Sequence, residues 1–111
     1  MLYVASMTGN GAAALVVAST SVLPVSEQFF SSCTRTSTGL FVVTLKEVPH
    51  RILSVIPTIY NATGTQLGVG VRSWDVTAKT VTIEVRNLAS SAALADPTTG
   101  ETITLTVFAQ Q

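Results

Sequence analysis

Three groups of residues in this chain have types and spacings that can do chemistry. The first is Gly9-Asn10-Gly11-Ala12-Ala13-Ala14, which fits a G-x-G-x-x-A turn; the apolar Leu2, Tyr3 and Val4 precede it, and Glu27 follows at about the distance of a ribose-binding carboxylate. Such a turn grips a pyrophosphate only where a helix follows, because the helix N-terminal amides and dipole do the binding. The run from Leu15 to Pro24 has four β-branched residues among its first eight and stops at a proline, so no crossover helix is expected. No βαβ alternation comes after it. Gly9 and Gly11 read instead as a bend between two extended pieces.

The second group is Cys33, His50 and either Asp75 or Asp96, which can be written as nucleophile, base and orienter. Cys33 lies in Ser-Ser-Cys-Thr, ahead of a strand rather than at a helix N-terminus that would lower its pKa, and reads as a small apolar filler. His50, the single imidazole, falls between Pro49 and Arg51 in a loop. One cysteine excludes an internal disulfide and any multi-cysteine metal site. Glu27, Glu47, Asp75, Glu84, Asp96 and Glu101 are scattered singly, with the look of solvated punctuation around turns. The third group is Trp74 with Tyr60, a possible aromatic sugar platform, set against the plainer reading of Trp74 as a core-edge residue. The expectation is no enzyme: no catalytic residues, no cofactor and no metal.

Composition points to a partner. Apolar residues make up 47% of the 111-residue chain and charged residues 11%, less than half the fraction usual for soluble domains. Six basic and six acidic side chains cancel, which leaves no electrostatic footprint for nucleic acid or an anionic membrane. The apolar run Ala12 to Ala18 is far short of a membrane span. A weakly charged surface is poorly defended against association, so a homo-oligomer or a permanent assembly is expected. Asn61-Ala62-Thr63 has the form of a glycosylation sequon and reads as a turn.

The elements that must carry these residues are strands. Arg35 to Leu45 reads as a hairpin turning at Gly39, and Arg51 to Tyr60 as a strand buried on both sides, with Pro57 implying an edge or a bulge. Leu67, Val69 and Val71 share one face with glycines opposite, and Asp75 to Thr80 is a turn. Val81, Ile83 and Val85 alternate with Thr82, Glu84 and Arg86. Asn87 to Ala95 is a small-residue connection able to form a short helical turn, Asp96 to Gly100 is a turn, and Ile103, Leu105 and Val107 mark a closing strand. The fold class is all-β, a single antiparallel β-sandwich domain over 31–111, with 1–30 as an extended N-terminal segment or its first strands.

The stretches TRTSTGLFVVTL (34–45), RILSVIPTIYNATG, WDVTAKTVTIEVRN (74–87) and ADPTTGETITLTVF (95–108) together resemble a module that recurs in tailed-phage virion proteins. Among these the chain looks most similar to the small capsid decoration, or cement, proteins of short-tailed double-stranded DNA phages of the epsilon-fifteen type, over about residues 31 to 108. That resemblance implies a jelly-roll-like sandwich, often paired as a dimer, made in the host cytoplasm. It implies a place on the outer capsid surface of the virion, with the major capsid protein as partner. Leu2, Tyr3, Val4, Leu15, Val16 and Val17 are the expected capsid or subunit contacts, since an apolar extended segment beside a glycine bend can add a strand to a neighbouring sheet edge. The same residues read equally as first strands of the sandwich itself. A second function class is a receptor- or glycan-binding module of a tail fibre or spike, using Trp74 and Tyr60.

Overall fold

The computed structural model describes residues 2–17, 30–46, 49–61, 66–89, 91–98 and 100–110. Among the described residues nine strands follow in order: β1 (Leu2–Thr8), β2 (Val16–Val17), β3 (Phe30–Ser37), β4 (Leu40–Leu45), β5 (Arg51–Asn61), β6 (Leu67–Asp75), β7 (Thr80–Asn87), β8 (Ala93–Leu94) and β9 (Glu101–Gln110). They form two antiparallel sheets packed together. One has the order β2-β1-β9-β5; the other runs β3-β4-β7-β6, with β8 also paired to β7.

Period-two alternation places the core between the sheets. Along β9, Ile103, Leu105, Val107 and Ala109 are fully buried while the intervening threonines are only partly covered. Val81, Ile83 and Val85 of β7 and Phe41, Val43 and Leu45 of β4 close over them from the opposite sheet, all with no exposed surface. Each such side chain contributes about 1.5–3 kcal/mol relative to leaving it in water. Since every second residue is committed this way, a one-residue slip of β9 would turn its apolar set to solvent, which pins the register.

The sheets also meet at their edges. Asn61, at the end of β5, donates from its side-chain amide to the Leu67 carbonyl at 3.2 Å and accepts from the Leu67 N–H at 3.3 Å, clamping the passage from one sheet to the other. At the opposite side β2 lies beside β3.

Two sequence expectations are adjusted, the burial of β5 and the connection after β7. β5 is not buried on both sides: it is an end strand of its sheet, and Leu53, Ile56 and Tyr60 are exposed. Of the edge or bulge that Pro57 implied, the edge holds, since β5 ends its sheet; the β5 bulge falls elsewhere, between Ile52 and Ser54. The connection after β7 contains no described helical turn but the two-residue β8, whose Leu94 pairs with Arg86. The N-terminal segment supplies β1, an inner strand between β2 and β9.

Candidate functional site

The glycine turn after β1 is occupied by the protein itself. Gly9 donates its N–H to the Glu101 carbonyl and Gly11 donates to the Pro97 carbonyl, both at 3.0 Å. A Cβ on Gly9 would collide with the Thr98 carbonyl and stand 2.6 Å from the Pro97 carbonyl carbon, and Gly11 has a φ of +60°. The amides that a phosphate would need are spent holding β1 against the turn before β9. Leu15 then enters the core and β2 follows in place of a helix. Glu27 lies outside the described residues.

Cys33, His50, Asp75 and Asp96 have separate duties. The Cys33 thiol is partly buried against the core, and desolvation pushes its pKa up to about 11, only partly offset by a backbone hydrogen bond from Leu15. His50 is exposed and its backbone N–H donates to the Gln110 carbonyl at 2.7 Å. Asp75 accepts the Ala78 N–H at 3.1 Å and so closes the β6–β7 turn. Asp96 belongs to a clasp: Arg35 donates to its two oxygens at 3.0 and 2.8 Å, and the Gly39 N–H donates to Oδ1 at 2.9 Å. The hydrogen bonds from Arg35 hold the Asp96 carboxyl below the usual carboxylate range. Among the described residues no three His, Cys, Asp or Glu side chains gather as a metal would need.

Glu101 is not a solvated turn residue. It is 1% exposed, and its carboxylate accepts from the Thr98 N–H at 3.2 Å and from the Thr98 hydroxyl at 3.2 and 3.3 Å. The signal was present in its parity with Ile103, Leu105 and Val107, which puts position 101 on the inner face.

Tyr60 and Trp74 do not form one platform. Tyr60 stands beside Asn61, which is bonded to Leu67, whereas Trp74 lies seven residues further along β6. At about 3.3 Å per residue this puts the two backbone positions roughly 23 Å apart along the strands.

Of the expected contact residues, Leu2, Tyr3 and Val4 are in β1 and Val16 and Val17 make up β2, while Leu15 is a core residue only 4% exposed. Val4 pairs with Thr106 and belongs to a broader surface, the outer face of the β9 sheet. Rows run across it from β1 through β9 to β5: Val4–Thr106–Ile56, Ser6–Thr104–Thr58 and Thr8–Thr102–Tyr60. Phe108 beside Ser54 extends it. No position in these rows is charged; Arg51, whose Nε donates to the Gln110 side chain at 2.6 Å, marks one end. Ile56, Tyr60 and Phe108 are 48%, 67% and 38% exposed, large apolar groups on a face that needs no charge for its own folding. The sequence hid this face because its threonines look like ordinary solvent-side residues.

No protein-family model, curated protein or solved structure matches the chain.

Proposed function

We propose that this is a capsid decoration protein: a non-enzymatic β-sandwich that seats on the outside of a phage major capsid protein lattice and stabilises the filled head. The observation that carries the reading is the uncharged central rows on the outer face of the β9 sheet, with Ile56, Tyr60 and Phe108 standing out of a threonine bed. Permanent interfaces are more apolar and less charged than ordinary surface, and threonine hydroxyls can hydrogen-bond to a facing backbone without a desolvated charge. Occupancy of the lattice stabilises it by mass action, since the bound protein favours the assembled shell over its parts. The resemblance to epsilon-fifteen-type decoration proteins adds a jelly-roll-like topology, a dimeric partner copy and a virion location to the same reading.

The test mixes the purified chain with undecorated, expanded heads of a short-tailed phage that encodes it and measures occupancy by gel and by imaging. The wild type is expected to saturate a fixed number of sites. Thr104→Arg, at the centre of the face, is expected to weaken occupancy at least tenfold, because a buried unpaired charge costs more than about 1.4 kcal/mol. Heads that stay bare with the wild type overturn the decoration reading. Equal occupancy by the arginine variant overturns the choice of face.

A further inference from the structure

A second surface lies on the opposite side of the molecule, on the outer face of the β7 sheet. There Gly68 and Gly70 of β6 stand across from Arg86 and Glu84 of β7, and the missing side chains leave a shallow depression of about 300 Å³ walled on one side by Leu88. The two glycines differ. Gly68 is roofed by Leu88, whose Cδ1 would be 3.0 Å from an added Cβ. Around Gly70 there is nothing within 4 Å of such a Cβ, and its backbone is not in the left-handed region. Neither packing nor conformation asks for glycine at 70, although glycine in a strand interior weakens the strand. A bare strand position of this kind is where another chain can approach closely.

The charges beside it select what approaches. Arg86 is engaged, with Nε and Nη2 on Glu84 at 3.3 and 3.2 Å and Nη1 on the Ala92 carbonyl at 3.0 Å. Arg72 makes one long contact to Glu84 at 3.4 Å, and its side chain is 50% exposed. Two guanidiniums thus share one carboxylate, a local positive excess in a chain whose net charge is zero. Arg72 sits two residues beyond Gly70, at the β6 bulge between Val71 and Ser73. Alternate residues of an extended strand are about 6.6 Å apart.

We infer that this depression is a docking groove for an extended acidic peptide segment of a partner protein: an apolar side chain rests on the Gly70 floor against Leu88, and an Asp or Glu two residues along pairs with Arg72. The groove is independent of the face proposed for lattice contact, so either assignment can fail alone. The experiment titrates the isotope-labelled full chain with the blocked tripeptide acetyl-Leu-Thr-Glu-amide and follows the Gly68 and Gly70 amides by NMR. Saturable shifts of both are expected at millimolar peptide. The Glu→Gln peptide is expected to bind up to about fivefold more weakly, as for an exposed ion pair, and Arg72→Gln should erase that difference. Gly70→Val should keep the fold and its melting temperature while abolishing the shifts. No saturable shift with the wild type, or binding undiminished in Gly70→Val with the fold intact, overturns the inference.

Discussion

At the scale of single residues, buried and half-buried polar groups act as fasteners. Asp96 ties the β3–β4 hairpin to the segment before β9, because it accepts from both Arg35 and the Gly39 N–H. Asp96→Ala strands that N–H as well as the guanidinium, and should cost about 1–3 kcal/mol in urea unfolding. Its carboxyl is held below the ordinary value in the folded state, so its contribution is present above an unfolded pKa of about 3.9 and is lost as pH falls through the folded one. The stability gap between the wild type and Asp96→Ala, read by urea unfolding, should therefore narrow as pH falls below about 3.9. Cys33 has the opposite sign. Its thiol is raised from 9.0 to about 11, so the folded chain holds its proton where the unfolded chain has lost it, and stability should decline as pH rises from 9.0 towards 11. A Cys33→Ala variant should show a shallower decline over that range. At pH 8 the native thiol should react with a disulfide reagent far more slowly than the urea-unfolded chain.

At the scale of elements, the β3–β4 hairpin has a geometry that admits little change. Gly39 has a φ of +70°, and a Cβ there would lie 2.6 Å from the Val85 carbonyl oxygen and 2.8 Å from the Ala95 N. The same junction carries the Val85 N–H to the Gly39 carbonyl at 2.8 Å and the Ala95 N–H to the Val85 carbonyl at 3.0 Å, so β4 and β8 meet end to end along β7. Gly39→Ala combines left-handed strain with overlap against two backbone groups, and a loss above about 2 kcal/mol in urea unfolding is expected. This hairpin was legible in the sequence, as were β7 and β9, because a glycine turn and strict alternation are local signals. β5 was misread for a physical reason. Leu53, Ile56 and Tyr60 are apolar for an outer face that its own fold leaves uncovered, so the alternation that marks a half-exposed strand is blurred. The pairing of β1 with β9, and of β9 with β5, joins segments far apart in the chain and leaves no trace in local pattern. β8 is two residues in a small-residue run, too short to have a period.

At the scale of the whole molecule, the charges are distributed so that the two outer faces have different solvents. The β7 sheet turns Arg72, Glu84 and Arg86 outward, while the central rows of the β9 sheet carry only threonine, serine and apolar side chains. A chain with 11% charged residues keeps one wettable face this way and leaves the other free for burial. On the proposed reading, contact through the β9 sheet would rest on apolar burial and neutral hydrogen bonds, neither of which is screened by ions. Lattice occupancy should accordingly stay within about twofold between roughly 0.05 and 1 M sodium chloride, a range over which the Debye length shrinks from more than 10 Å to about 3 Å. Sulfate, which strengthens apolar burial, should tighten it. An acidic peptide on Arg72 should respond the other way and loosen with salt. Measuring both dependences on one preparation separates the faces without a mutation: occupancy that falls steeply with sodium chloride would place lattice contact on the charged side of the sandwich.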